Sequence, residues 1–166
     1  MANGLANIHN AKRASSPMIN VIGEHATYHL QYDAPLTSDI AALARPLSHW
    51  VHSSANSRAL AGDAAQAVAA AMTYPGQIAT LIVPANCAWD EADGPAKPIA
   101  PPATPRPDAG MIRKVAQALK NGKKTLFLMR GDAILQRGAH AAGRIARASG
   151  ARIVCERFSS RMLRGA

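Results

Sequence analysis

Gln77-Ile78-Ala79-Thr80-Leu81-Ile82-Val83-Pro84 is the stretch on which the fold turns. It is an almost unbroken apolar run, rich in branched side chains, and so reads as a strand covered on both faces of a parallel sheet. Just before it, Asn56 to Met72 is alanine-rich, places Leu60, Ala64, Ala67, Val68 and Ala71 on one face, and stops ahead of Tyr74-Pro75-Gly76. That segment predicts a helix. Helix followed by buried strand is the repeating unit of an α/β protein.

Working back towards Met1, Met18-Ile19-Asn20-Val21-Ile22 predicts a strand ending at Gly23, and Pro46-Leu47-Ser48-His49-Trp50-Val51 predicts a second. A short helix is expected from Asp39 to Ala44, capped by Thr37 or Ser38. Residues Met1 to Asn10 carry Ala2, Leu5, Ala6 and Ile8 at helical spacing, with no strand, cap or turn before them. The expectation is a fold entered part-way through.

Forward of the deciding strand, Asp108 can cap a helix from Ala109 to Lys120 with Ile112, Val115, Ala116 and Leu119 inward. Thr125 to Met129 predicts another buried strand, Asp132 to Ser149 a crossover helix, and Ala151 to Cys155 a parallel partner. Two strands are few for a finished sheet, so truncation is expected at this end too. The fold class expected is a three-layer α/β/α arrangement with parallel sheets, in two incomplete domains covering residues 1–94 and 109–166.

Residues 95–108 form the joint. The stretch Gly94 to Pro107 is proline-rich, favours extended polyproline geometry and cannot continue a helix or a sheet ladder. Charge divides at the same place. Up to Asp93, four basic residues face seven acidic ones, a net of −3; from Gly94 onward, fifteen basic residues face three acidic ones, a net of +12. The overall +9 belongs to the second half.

Several function classes fall away. No apolar run approaches the roughly 20 residues that span a bilayer, and the start lacks a signal-peptide pattern, so a cytoplasmic location and no membrane partner are expected. Cys87 and Cys155 occur singly at apparent strand ends, which reads as two buried free thiols and neither a disulfide framework nor a CxxC site. His25 with His29 and His49 with His52 have ligand-like spacing, but neither segment is convincingly helical and nothing completes a set; no metal site is expected. Arg130-Gly131-Asp132 leads into a helix that could receive a phosphate at its N-terminus, although Gly131 and Gly138 do not form GxGxxG. The basic set Arg137, Arg144, Arg147, Arg152, Arg157, Arg161 and Arg164 alternates with alanine and has few aromatics nearby. A solvated or subunit-facing surface is favoured over nucleic acid.

Four blocks occur in a telling order: Ala2-Asn3-Gly4-Leu5-Ala6-Asn7, Ala14 to Gly23, His29-Leu30-Gln31-Tyr32-Asp33, and Tyr74 to Asn86. Together they resemble thiamine-diphosphate-dependent enzymes, most closely the acetolactate synthase large subunit and its relatives. The resemblance covers most of residues 1–91 as the latter part of a pyrimidine-binding domain, and more weakly 109–166 as the opening of a Rossmann-like central domain. It implies a 2-keto acid substrate, thiamine diphosphate with Mg²⁺, FAD or ADP as a further possibility in the central domain, and a homodimeric or tetrameric parent.

Residue roles follow from the same resemblance. Asn3, with Gly4 beside it, matches the asparagine closing the family's Gly-Pro-Gly-x-x-Asn turn near the pyrimidine. Gln31 matches the glutamine that points towards thiazolium and substrate, with His29 next to it; Gly131 and Arg130 are the positions for a nucleotide. Leu30 stands where many synthases carry phenylalanine and His29 where they carry a small residue, a departure that points to a different 2-keto acid or acyl donor. The activating glutamate of the family would precede Asn3, and no Gly-Asp-Gly block for Mg²⁺ and diphosphate occurs in the 166 residues. The chain alone is therefore expected to lack catalysis. The alternative expectation is a non-catalytic α/β module holding a nucleotide or polyanion through its basic half.

Overall fold

The computed structural model describes residues 1–159 and 161–162, so Arg164 of the basic set lies outside the described residues. The chain divides into two compact units, Met1–Pro102 and Ala103–Ala166. Parallel sheets with flanking helices make both of them α/β.

In the first unit, a single 3-10 turn (Ala2–Gly4) leads into α1 (Leu5–Arg13), then β1 (Met18–Glu24), α2 (Ile40–Ala44), β2 (Trp50–Ser53), α3 (Ser57–Ala71), β3 (Ile78–Pro84) and α4 (Ala85–Trp89). The strands are parallel in the order β1-β3-β2. The last of them in sequence thus lies at the centre. Its buried faces account for its nearly unbroken apolar composition: Ala79 and Leu81 meet Ala67 and Ala71 of α3, while Ile78, Thr80 and Ile82 are buried on the opposite face. Alanines at the α3 contact bring helix and sheet close together. Loss of a large side chain such as Ile78 or Leu81 from such a core costs about 2–5 kcal/mol.

Four boundaries differ from expectation. β1 runs on past Gly23 to Glu24, which pairs with Pro84. β2 begins at Trp50, not Pro46, because Leu47 and Ser48 both donate their N–H to the Ala44 carbonyl and hold residues 46–48 in a turn at the end of α2. The cap of α2 is Asp39, whose Oδ1 accepts from Ala42 N at 2.8 Å, rather than Thr37 or Ser38. The turn of helix at Ala85–Trp89 has no counterpart in the sequence reading.

The second unit contains α5 (Ala109–Leu119), β4 (Leu126–Met129), a 3-10 turn (Gly131–Ile134), α6 (Gln136–Ser149) and β5 (Arg152–Cys155), with β4 and β5 parallel. Asp108 caps α5 as expected, accepting from Met111 N at 2.7 Å. The expected helix from Asp132 is broken at Leu135, which is extended and separates the 3-10 turn from α6. The core is small: Met129, Ile134 and Ala142, with Phe127 packed against them. β4 is consequently buried on one face only, and Leu126 and Leu128 are exposed, correcting the fully buried strand. α5 carries no buried residue, so its expected inward face, with Ile112 and Val115, is open among the described residues. Cys87 is buried, but Cys155 is exposed, against the expectation of two buried thiols.

Residues 91–108 adopt no regular structure and are exposed throughout. No helix among the described residues is long and apolar enough to cross a membrane.

Candidate functional site

Ligands of open α/β sheets collect beyond the carboxyl ends of the strands. In the first unit a cavity of about 880 Å³ lies there. β1 delivers Ile22 and Glu24 to it; the loop that follows supplies His25 and His29; α2 supplies Ile40 and Leu43. Met1 and Ala2 close one side, and Ala85 with Trp89 another, so four separated segments share the space. Its walls are mainly apolar and its polar groups few, the usual composition of a small-molecule site.

Three of the polar residues, Glu24, His25 and His29, form a connected row. Glu24 Oε1 accepts from the backbone N–H of His25 at 2.7 Å and lies 3.2 Å from its ring Nδ1. The His25 ring stacks on His29 at 5.6 Å between centroids and 27° between planes, and His29 meets Tyr32 at 5.7 Å. The loop is fastened to α4 by Thr27 N–H, which donates to Asn86 Oδ1 at 2.9 Å. Glu24, held between a strand end and a partner ring, is a fixed carboxylate and not a solvated one.

The residues singled out in the sequence are only partly gathered here. His29 lines the cavity. Gln31 sits in the 3-10 turn Leu30–Tyr32 and is exposed, its side-chain amide donating to the Tyr28 carbonyl at 3.0 Å. Asn3 and Gly4 lie in the first 3-10 turn, directly after the wall residues Met1 and Ala2. Arg130 and Gly131 belong to the second unit, where Gly131 has φ +55° at the turn after β4. Glu24 and His25 are the site residues that reading by motif missed as a pair. Their adjacency was visible, but the strand end that aligns them was placed one residue early.

The second histidine pair has structural partners. His49 Nδ1 accepts from Ile78 N–H at 3.1 Å, an arrangement open only to the neutral ring, and burial followed by the charge of Lys12 lowers its pKa. His52 Nε2 lies 3.1 Å from Asp63 Oδ1. Among the described residues, no group of three His, Cys, Asp or Glu could hold a metal ion.

In the second unit a cavity of about 1000 Å³ flanks the start of α6, with Arg137, His140, Arg144 and Arg161 around it and Asp132 as its one acidic residue. The N-terminus of α6 has no side-chain cap and no acidic residue in its first turn. Cationic groups thus gather where the helix dipole already favours an anion.

For thiamine diphosphate, the fit is partial. The apolar walls of Ile22, Ile40 and Leu43 suit a flat heteroaromatic ring, whereas the described residues offer no carboxylate set for a magnesium diphosphate.

No protein-family profile matches the chain. Over 171 aligned residues the chain is 44% identical to the Mycobacterium tuberculosis protein named "Putative acetolactate synthase large subunit IlvX", an alignment covering 100% of this chain and 32% of that protein. It superposes at a TM-score of 0.81, with 26% identity, on a Mycobacterium smegmatis structure described as a "putative thiamin diphosphate-dependent enzyme", over 97% of this chain and 31% of the other. Benzoylformate decarboxylase from Polynucleobacter necessarius shares the fold at a TM-score of 0.74 and 23% identity, over 98% of this chain and 32% of that one. The chain thus spans about a third of the length of the proteins it matches. The resemblance to thiamine-diphosphate-dependent enzymes holds from end to end of these 166 residues, across both units.

Proposed function

We propose that these 166 residues form a piece of a thiamine-diphosphate-dependent 2-keto-acid decarboxylase or carboligase of the acetolactate synthase type. The observation that carries this reading is 44% identity in an alignment that covers the whole chain. The cavity at the strand ends supports it, since it combines apolar walls with a short row of ionisable groups.

Thiamine diphosphate, when bound, supplies the carbon nucleophile and electron sink for decarboxylating a 2-keto acid. The residues of this chain would receive the substrate. Ile22, Ile40 and Leu43 would exclude water from its apolar part, and His29 would face its polar end; Gln31, in the same loop but outside the cavity lining, would have to leave the Tyr28 carbonyl to join it. Asn3 and Gly4 would stand on the pyrimidine side, while Arg130 and Gly131 would face FAD or ADP in the central domain. Mg²⁺ and the diphosphate require groups these residues do not contain, and a homodimer or tetramer is the assembly that the reading carries with it. On this reading the protein acts in the cytoplasm.

Two measurements test it. The purified chain with pyruvate, thiamine diphosphate and Mg²⁺ is expected to give no acetolactate; measurable turnover would overturn the proposed dependence on further segments. A chimera in which these residues replace the matching third of the Mycobacterium smegmatis protein should bind thiamine diphosphate and release CO₂ from a 2-keto acid. A folded chimera that binds no cofactor, beside a parent that does, would sink the functional reading.

The basic cavity favours a second reading, in which the second unit holds a nucleotide or polyanion without catalysis. Binding of duplex DNA that falls steeply and linearly with log salt would support the polyanion form. Saturable ADP binding with little salt dependence would support the nucleotide form.

A further inference from the structure

We infer that Glu24 and His25 form an oriented carboxylate–histidine dyad, the proton-exchanging group of the strand-end cavity, and that it takes the carboxyl end of a small acid with an apolar body. The inference deepens the proposed function by giving the 2-keto acid a partner, and for that part it rests on that reading. Nothing in the resemblance assigns a role to either residue.

The argument begins with tautomers. A neutral imidazole carries its proton on one nitrogen, and the hydrogen bond made by one ring nitrogen settles the state of the other. Glu24 Oε1 stands 3.2 Å from Nδ1 and is already fixed by the His25 backbone N–H at 2.7 Å. An ionised carboxylate can only accept. Nδ1 is therefore the protonated nitrogen, and Nε2 is left to the ring's other side, on a residue that lines the cavity.

Position makes this pairing stable. Glu24 is the last residue of β1, in register with Pro84 of the buried central strand, and its side chain is only 12% exposed. The ring is further held by its stack on His29. A side chain with a largely buried carboxylate behind it and a ring stacked beside it is oriented before any ligand arrives, and this lowers the ordering cost of binding.

The chemistry of Nε2 then has two states. Unprotonated, it accepts a hydrogen bond from a carboxylic acid or hydroxyl; after taking that proton it donates Nε2–H back to the carboxylate so formed, while Nδ1–H remains with Glu24. One proton moves and no other bond changes. Around this point the cavity is lined by Ile22, Ile40 and Leu43, which suit a compact hydrocarbon body.

The test uses the 166-residue chain and nitrogen-15 spectra of the histidine rings. Wild type and E24Q, which keeps an acceptor oxygen, should show His25 as the Nδ1–H tautomer; E24M should shift it to Nε2–H. An Nε2–H tautomer in the wild type would overturn the dyad. Benzoylformate and benzoate serve as probes, with H25N, which can keep the contact to Glu24 but lacks Nε2. Binding of either probe that perturbs His25 and His29 and weakens about tenfold or more in H25N supports the inference. Benzoate binding without benzoylformate binding would also support it, while counting against the 2-keto-acid reading. Binding unchanged in a folded H25N, or no binding of either probe, overturns it, and in the first case the functional reading survives.

Discussion

At the scale of single residues, the two thiols and the ring of His49 carry distinct consequences. Cys87, in α4, is buried, and burial, followed by the negative charges of Asp90 and Asp63, pushes its thiol pKa up. The thiolate is the reactive form, so Cys87 should resist an aromatic disulfide reagent in the native chain. Cys155 is exposed. One fast thiol per chain is expected, with the second appearing only in denaturant, and two fast thiols would contradict the burial. For His49, protonation would remove the acceptor of the Ile78 N–H. Its folded pKa lies below the ordinary 6.5, so the unfolded chain binds the proton first as pH falls. Stability is full above pH 6.5 and declines as pH drops through 6.5 towards the lowered folded value. The ring is partly open to solvent, so the decline is modest. H49N, whose amide oxygen can keep the acceptor without titrating, should flatten this part of the Tm–pH curve.

At the scale of elements, what was legible in the sequence follows from which signals are local. β3 could be read directly because it is covered on both faces and so apolar at every position but Thr80. The placement of β2 failed because Pro46, Leu47, Trp50 and Val51 form one apolar cluster that the structure divides between a turn and a strand. The stripe on α5 was visible, but periodicity specifies a face and not its partner, and Ile112 is 54% exposed. The cavity was hidden for a related reason: Glu24 and His25 are neighbours, whereas Ile40, Leu43 and Trp89 reach them only through the fold. One turn was marked plainly. Gly76, leading into β3, has φ +116°, and a Cβ there would run into the Ser15 carbonyl oxygen. Gly76→Ala is expected to cost about 2 kcal/mol or more through the strained backbone alone. Thermal unfolding would read this as a fall of several degrees; an unchanged Tm would show that the turn between α3 and β3 can relax.

At the scale of the whole molecule, two units of opposite charge character share one chain, with −3 up to Asp93 and +12 beyond it. Their packing differs as much as their charge. The first unit has a central strand with both faces covered, and the second has a core of a few side chains around Met129 and Ile134. Global unfolding should accordingly occur in two steps, the second unit first, seen as separate melting of near-surface and buried probes. A single cooperative transition would show that the units stabilise each other. The segment joining them, exposed from residue 91 to 108, has a property of its own. Its two basic residues, Lys97 and Arg106, are each followed directly by proline. Trypsin, which cuts after lysine and arginine but stalls when proline follows, should leave this stretch whole while an elastase, cutting after Ala96 or Ala103, neither of which precedes proline, severs it. The most exposed part of an arginine-rich protein is thereby closed to the protease best matched to its composition.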